Sequence, residues 1–344
     1  MKRKTLTFIG ILLACIVFFG ALYAVSRLVA PKYHTSPLEG HLTGEYYEEK
    51  TAHDVLFVGD CEVFSNISPV TLYNEYGITS FIRGSAQQLT WQSYYLLEDA
   101  LLTETPKVVV FNVLALKYGE PQSEAYNRMT LDGMRLNASK IRAIRASMTE
   151  GEDFMSYLFP LLRYHDRIDK LTGEDFAYWF TSGEPVSFKG YLLRTEVRPA
   201  TDMPTETYDP KLPESSMEWL GRMADLCEEK GIALVLMKSP SIYPKWYPEW
   251  DETVAAFANA RGLRYDNMIA ENDVIGIDMQ TDTCDMGQHL NVYGAEKLSR
   301  FYGAVLQKTY QLPDHRGEAA YDADYAALSE RYETEKNLRR SEGN

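Results

Sequence analysis

Short runs of apolar residues alternate with helical patterns along most of this chain. The predicted strands include VLFVG at 55–59, KVVVFNVLAL at 107–116 and IALVLMKSP at 232–240, and weaker strand patterns lie at 79–83 and 263–267. Residues with helical spacing lie between these runs, at 69–76, 87–102, 215–230, 246–261 and 291–306. Wholly apolar strands are typical of a parallel sheet that is covered by helices on both faces. The pattern therefore predicts an α/β fold, a three-layer, doubly wound and flavodoxin-like sheet that is mostly parallel.

The alternation breaks between about residues 118 and 213. Helical patterns occur there at 139–148 and 154–165, but no strong strand pattern lies between them. We interpret this segment as a helical insertion that caps the sheet, and we predict that the α/β domain covers residues 51–312. The tail at 313–344 is charged and contains few large apolar residues, which predicts a frayed helix or disorder.

The N-terminus predicts a membrane anchor. Basic residues at positions 2–4 precede an uncharged apolar run from Thr5 to Ser26, which is long enough to cross ~30 Å of hydrocarbon. Basic residues before the span place the N-terminus in the cytoplasm and the rest of the chain outside. Residues 1–29 are thus predicted to be a cytoplasmic stub and a transmembrane signal anchor, followed by a polar stalk at 30–50. The protein is then a single-pass protein of the cell membrane with an extracytoplasmic C-terminal domain.

Two other interpretations of the N-terminus are weaker. A cleaved signal peptide would have a shorter apolar region and a small-x-small cleavage site, which this run lacks. The sequence Leu12-Leu13-Ala14-Cys15 faintly resembles a lipoprotein box, but the apolar run continues directly past Cys15.

Charge and missing motifs exclude several classes of function. The formal net charge of −14 disfavours nucleic acids and anionic membrane surfaces as main partners. The sequence contains no phosphate-binding Gly-rich motif, no C-x-x-C and no H-E-x-x-H. We therefore predict no cofactor and no metal. A metal-dependent hydrolase that uses Asp60, Asp285 and His289 would lack a recognisable ligand spacing.

The cysteines do not form a disulfide framework. Cys15 lies in the predicted span, so Cys61, Cys227 and Cys284 remain outside it, and an odd number leaves at least one thiol free or paired with another molecule. A bridge between Cys61 and Cys284 stays an alternative to a free Cys61 thiol, because both residues are expected near the same edge of the sheet.

Polar residues and glycines follow three of the predicted strands. Gly59-Asp60-Cys61 ends the first strand, Arg83-Gly84 ends the second and Asn112 ends the third. A further group, Asp285 to His289, stands just before the last helix, for which Asn291 is a predicted N-cap. Because the carboxyl ends of parallel strands meet at one edge of the sheet, we expect these groups to lie close together. His289 is the only histidine with an acid within one turn before it and a helix start just after it.

These motifs resemble those of the SGNH/GDSL hydrolase superfamily over about residues 54–310, with the insertion outside the likeness. In that family a G-D-S block supplies a serine nucleophile, a glycine and an asparagine complete the oxyanion hole, and D-x-x-H supplies the orienting acid and the base. The resemblance implies that Cys61 is the nucleophile, His289 the base and Asp285 the orienting acid. It implies oxyanion or substrate-binding roles for Gly84 and Asn112, and we add their neighbours Asp60 and Arg83 to that group.

Two departures from the family pattern matter. Cysteine replaces serine, and the acid precedes the histidine by four positions instead of three, so that Asp282 is a second choice for the orienting acid. A thiolate is a better nucleophile than a hydroxyl, so the first departure is compatible with catalysis.

The chain looks most similar to membrane-anchored, exported family members, such as teichoic-acid D-alanine transfer proteins and polysaccharide acyltransferases. This implies an acyl esterase or acyltransferase that acts on cell-envelope glycan or polyol esters. The implied partners are the membrane, an envelope polysaccharide or teichoic-acid-like polymer, and an integral membrane acyltransferase. The alternative is a catalytically silent domain that binds such a polymer or such an acyltransferase.

Overall fold

The computed structural model describes residues 2–30, 41–180, 185–202 and 207–342. The chain divides into a smaller compact unit, Met1–Leu38 with Glu150–Glu184, and a larger one, Glu39–Thr149 with Pro185–Asn344. The middle of the segment interpreted above as an insertion thus groups with the N-terminal helix, whereas its two ends belong to the larger unit.

The larger unit is built on a parallel sheet of five strands in the order β2-β1-β3-β4-β5. The strands are β1 (Val55–Gly59), β2 (Ser80–Gly84), β3 (Val108–Asn112), β4 (Ala233–Lys238) and β5 (Arg264–Asn267). Every residue of β1, β2 and β3 is buried, as their apolar sequences predict. The predicted α/β fold with a parallel sheet is confirmed. The chain order reverses between β1 and β3, which is where ligand sites form in such sheets.

Helices precede and connect the strands. They are α1 (Lys2–Val29), α2 (His41–Glu45), α3 (Cys61–Asn66), α4 (Pro69–Tyr76), α5 (Thr90–Ala100), α6 (Glu124–Leu131), α7 (Ala138–Ser147), α8 (Phe154–Leu158), α9 (Pro160–Tyr164), α10 (Gly173–Ala177), α11 (Glu214–Lys230), α12 (Pro248–Arg261), α13 (Asn272–Ile275), α14 (Val292–Tyr310) and α15 (Ala319–Glu342). Helices α1 and α8 to α10 belong to the smaller unit, and the others belong to the larger unit.

Alternating side chains of the strands build two apolar cores, one on each face of the sheet. Val55 and Phe57 of β1 contribute to the core that α4 and α14 cover. Leu56 and Val58 contribute to the opposite core, which α5, α11 and α12 cover. The larger unit therefore has three layers, with the sheet between two layers of helices. The loops at the carboxyl edge of the sheet are attached to these packed layers.

Strand β3 is shorter than its apolar sequence predicts. The pattern predicts a strand as far as Leu116, but the strand ends at Asn112 and a 3₁₀ helix covers Val113–Lys117. The Asn112 side chain accepts a hydrogen bond from the backbone N–H of Leu114 at 3.0 Å, which turns the chain out of the sheet. The apolar residues of the 3₁₀ helix are buried all the same, so their apolar character reflects burial and not strand structure.

The smaller unit combines α1 with three short helices. Helix α1 is long and apolar enough to cross a membrane, in agreement with the predicted span. The single helix predicted at 154–165 is wrong, because it is divided into α8 and α9 at Phe159. The cause is Pro160, which occupies the first turn of α9, lacks an N–H donor and disfavours helical backbone in the residue before it.

The prediction of a frayed or disordered tail is also wrong. Residues Ala319–Glu342 form α15, which packs against α4. Tyr325 and Tyr332 of α15 are almost completely buried, and the Tyr325 ring stacks on Tyr73 with 3.7 Å between ring centroids. A few large aromatic side chains therefore hold α15 against the rest of the larger unit, although the helix is polar overall. The average composition of a segment does not reveal a small number of buried aromatic residues.

Candidate active site

The turn from β1 into α3 presents Cys61 at the first residue of the helix. Gly59 has a φ of 150°, and a Cβ at this position would lie 2.8 Å from the Asn112 Cβ. Both the backbone conformation and the close approach of β3 therefore require glycine here. Asp60 is the N-cap of α3, since its side chain accepts a hydrogen bond from the Glu62 N–H. The Cys61 side chain is partly exposed as a result.

Gly84 and Asn112 lie beside this turn. Gly59 is the register partner of Gly84 in the β1–β2 pair, and Asn112 ends β3 on the other side of β1. A Cβ on Gly84 would overlap the Val63 side chain of α3, so only glycine lets α3 approach the end of β2. The three strand ends that the sequence singled out are thus adjacent, as expected from parallel pairing.

The loop before α14 holds His289 and Asp285 in a fixed relationship. Asp285 Oδ2 lies 2.5 Å from His289 Nδ1, and its Oδ1 accepts the backbone N–H of His289 at 2.7 Å. The Asp285 carboxylate therefore fixes the position of both the backbone N–H and the imidazole ring of His289. The four-residue spacing between the acid and the histidine is compatible with this double contact. Asn291 caps α14 as predicted, because its side chain accepts the N–H groups of Tyr293 and Gly294.

Cys61 in the turn after β1 and His289 in the loop before α14 are close enough for the thiol to influence the pKa of the imidazole. Burial lowers the pKa of His289, but the charge of Cys61 and the hydrogen bonds with Asp285 and Cys61 raise it well above its usual range. Burial raises the pKa of Asp285, whereas its hydrogen bond with His289 and the charge of the imidazolium lower it by more. The imidazolium is thus stabilised by the sulfur and by the carboxylate.

Asn66 joins the nucleophile helix to the histidine loop. This last residue of α3 is completely buried. Its Oδ1 accepts the N–H of Leu290 at 2.8 Å, and its Nδ2 donates to Ser239 Oγ at 2.8 Å. A residue next to His289 is therefore hydrogen-bonded to the same short helix that starts with Cys61. Sequence reasoning missed Asn66, since an asparagine within a short helix gives no local signal of a partner 224 positions away.

A buried ion pair lies behind the cysteine. Lys238 Nζ contacts Glu62 Oε1 at 2.7 Å, and both side chains are essentially inaccessible to solvent. The other oxygen of Glu62 accepts a hydrogen bond from Asn112 Nδ2 at 3.0 Å. The Asn112 amide is thus oriented by Glu62, which is in turn neutralised by Lys238. The only sequence signal for this network is a lysine at the end of the otherwise apolar strand β4.

The Asp60 carboxylate is enclosed within the turn that follows β1. It is fully buried, Oδ1 caps α3 through the Glu62 N–H at 3.2 Å, and Oδ2 has no hydrogen-bond partner. Burial, followed by the negative charge of Glu62, raises its pKa to about 6. Its position fits a structural role in the turn, and the substrate-binding role predicted for Asp60 has no geometric support.

Arg83 is not brought to the site. Its side chain is fully buried on the α5 face of the sheet, where it lies 3.1 Å from Asp99 and stacks over the Tyr46 ring. The predicted substrate-binding role is wrong for a physical reason. Side chains alternate along a strand, so Arg83 points to the face opposite Ile82, toward the core that contains Phe81.

Two alternatives left open by the sequence are decided by geometry. Asp282 lies 2.6 Å from Lys297 and 2.8 Å from the Asp278 N–H, so it is not the partner of His289. All four cysteines are free, and the bridge between Cys61 and Cys284 does not form. Cys284 is buried in the histidine loop, where burial and the charge of Asp285 raise its pKa to about 11.

Among the described residues no group of three or more His, Cys, Asp and Glu side chains could hold a metal ion.

The two acids provide a matched pair for a test. Asp285→Asn is expected to lower kcat by about 10²–10⁴-fold with a small change in KM, because the neutral amide no longer stabilises the imidazolium. Asp282→Asn removes a carboxylate from the same loop and should leave kcat within a few fold. Steady-state kinetics with a chromogenic ester measures both. Equal losses in the two variants would contradict the assignment of Asp285 as the positioning residue.

Comparisons with solved structures find proteins of low sequence identity to this chain. A presumed acylhydrolase from Bacteroides fragilis is 12% identical with a TM-score of 0.39, and the match covers 78% of this chain and 95% of that one. A presumed lipolytic protein of the G-D-S-L family from Desulfitobacterium hafniense is 13% identical with a TM-score of 0.36, covering 73% and 98%. A GDSL-like lipase from Bacteroides thetaiotaomicron is 11% identical with a TM-score of 0.33, covering 74% and 87%. The sequence matches no protein-family profile and no curated protein.

Proposed function

We propose that this chain is an acyl esterase or acyltransferase whose nucleophile is Cys61. The observation that carries the proposal is the 2.5 Å contact of His289 Nδ1 with Asp285 Oδ2, on a histidine whose pKa the Cys61 thiol also raises. A nucleophile, a base and a third group that orients the base are the three parts that acyl transfer through a covalent intermediate requires.

The first half-reaction forms a thioester. Asp285 occupies Nδ1 of His289, which leaves Nε2 to accept the Cys61 proton. The sulfur attacks the ester carbonyl carbon and forms a tetrahedral intermediate. The C–O bond to the alcohol then breaks, Nε2 returns the proton to the departing oxygen, and the acyl group remains on sulfur.

The strand ends supply donors for the negative oxygen of that intermediate. The candidates are the backbone N–H groups of Cys61 and Gly84 and the side-chain amide of Asn112. That amide carries two N–H groups, of which Glu62 uses one. The buried contact with Glu62 keeps the amide in one orientation, and a donor that is already oriented loses no energy to reorganisation during the reaction.

The second half-reaction reverses the roles. His289 Nε2 takes a proton from water or from an acceptor hydroxyl, whose oxygen attacks the thioester carbonyl. Collapse of the second intermediate breaks the C–S bond, and the proton returns to the sulfur. Water as acceptor makes the protein an esterase, and a sugar or polyol hydroxyl makes it an acyltransferase.

We assign the substrate to the cell envelope, because a membrane-spanning α1 would keep the catalytic unit close to the membrane. A membrane-spanning α1 with basic residues at its start places the catalytic unit on the outer face, within reach of ester-bearing glycans or polyols. An integral membrane acyltransferase that delivers the acyl donor fits the same location, as does a teichoic-acid-like polymer.

The test is to trap the acyl group on sulfur. Purified protein is mixed with an activated acyl ester such as p-nitrophenyl acetate, quenched in acid and digested, and the peptide containing Cys61 is analysed by mass spectrometry. We expect an acyl adduct that neutral hydroxylamine removes, as it removes thioesters and not amides. His289→Ala should slow its formation by about 10²-fold or more, because the base is lost.

Acylation of Cys61 at the same rate in the wild type and in His289→Ala would contradict the proposal. The buried thiol of Cys227 is the internal control, because burial raises its pKa to about 12 and keeps it unreactive. A Cys61 that stays unmodified would favour a catalytically silent domain that binds an envelope polymer or an acyltransferase partner.

A further inference from the structure

The smaller unit exposes an unusual set of apolar side chains. Outside α1, every exposed phenylalanine or tryptophan among the described residues lies between positions 159 and 180. They are Phe159, Phe176, Trp179 and Phe180. Exposed Leu162 and Ile168 add aliphatic surface to the same segment. A concentration of exposed aromatic and aliphatic side chains in one short segment indicates an interaction site and not ordinary solvated surface.

Helix α1 determines the height of this segment relative to a bilayer. The rise from Lys4 to Arg27 is about 34 Å at ~1.5 Å per residue, which is close to the ~30 Å thickness of the hydrocarbon core. A charged residue at each end of the apolar run marks the two polar boundaries. Ser26 and Val29 therefore lie at the outer interface when α1 spans the membrane.

The segment is attached at that level. The N–H of Leu161 in α9 donates to Ser26 Oγ at 3.1 Å, and the guanidinium of Arg167 donates to the carbonyl of Val29 at 2.6 Å. Arg167 also pairs with Asp175 of α10 at 3.3 Å, so the two parts of the segment are joined to each other as well as to α1. Ser26 and Val29 are buried by this packing, whereas most of the preceding residues of α1 are exposed.

We infer that residues 154–180 are seated in the outer membrane–water interface, with Trp179 and its aromatic neighbours inserted among lipid headgroups and upper acyl chains. Indole rings prefer this depth of a bilayer, and phenylalanine is common on the apolar face of segments that lie in the interface. Acidic residues outnumber basic ones between 150 and 180, so apolar insertion, and not attraction to anionic lipid, supplies the binding. A bilayer is favoured over a protein partner because the surface adjoins the exit point of a candidate membrane span.

This inference rests on the anchoring role proposed for α1 and is independent of the chemistry proposed for Cys61. The test uses the full chain in phosphatidylcholine vesicles whose acyl chains carry bromine close to the headgroup, because bromine quenches tryptophan only on contact. The difference between wild type and Trp179→Phe isolates the Trp179 emission. Trp219→Phe, on α11 of the larger unit, gives the reference for a half-buried tryptophan elsewhere.

We expect brominated lipid to reduce the Trp179 emission by at least half and to reduce the Trp219 emission much less. Aqueous acrylamide should quench Trp179 less in the vesicle-bound full chain than in the same full chain unfolded in urea. Flotation of the protein with the same vesicles measures anchoring separately. If the chain floats while Trp179 is insensitive to bromine and open to acrylamide, the interfacial position is wrong and the anchor stands. A chain that does not float would overturn both.

Discussion

Replacement of Cys61 by alanine is expected to lower ester turnover by about 10³-fold or more. The methyl group cannot form the thioester, and His289 then has no proton to accept from a nucleophile. The remaining oxyanion donors and bound substrate could support only slow attack by water. Hydrolysis of a chromogenic ester by purified wild type and variant, at saturating and limiting substrate, measures the loss in kcat and in kcat/KM.

Cys227→Ala is the matched control. It removes the same kind of thiol group from the core between the sheet and α11, on a side chain that is 1% exposed. We expect its turnover to stay within a few fold of the wild type, with any effect confined to stability. If both cysteine variants retained turnover, or lost it equally, Cys61 would not be the nucleophile and the proposed mechanism would fail.

Replacement of Lys238 by methionine should give the largest loss of stability among single changes near the site. The lysine and Glu62 are 0% and 1% exposed, so the substitution leaves a buried carboxylate without its counter-charge. Removing one member of a buried ion pair costs about 3–5 kcal/mol of the free energy of unfolding. Urea unfolding of the full chain in detergent micelles, followed by circular dichroism, measures the change.

Two further variants separate charge loss from lost packing. Lys107→Met breaks an exposed contact with Asp54 at 3.6 Å and should cost less than about 1 kcal/mol. Glu62→Gln combined with Lys238→Met removes both buried charges and should recover a large part of the loss. A double variant as unstable as Lys238→Met alone would show that shape, and not the uncompensated charge, causes the effect.

The elements that the sequence predicted well carry their own local signals. Helix α4 begins and ends where the pattern placed it, because Ser68 caps its start, Pro69 fits its first turn and Gly77 ends it with a φ of 69°. Strands β1, β3 and β4 were recognisable from wholly apolar runs, and Cys61, Gly84 and Asn112 from their positions at or just after strand ends. Each of these features depends on neighbours within a few residues, which a single sequence displays.

Most of the predictions that were wrong or incomplete concern residues whose contact partners lie far away in the sequence. Nothing near Arg83 reveals Asp99, and nothing near Glu62 reveals Lys238 on another strand. The tail looked unstructured because its burial rests on Tyr325 and Tyr332 meeting surfaces far away in the chain. The break between α8 and α9 is different, because its cause, Pro160, is local.

The sequence by itself determined the parallel sheet, the apolar N-terminal helix and the residue types that stand at the carboxyl edge. Periodicity and strand-end chemistry are local, so they can be read along the chain. Only the tertiary structure decided that Asp285 and not Asp282 holds His289, that Arg83 faces the opposite core and that Glu62 orients Asn112. Those choices depend on which side chains become neighbours after the chain has packed, and packing brings together residues whose separation in sequence carries no such information.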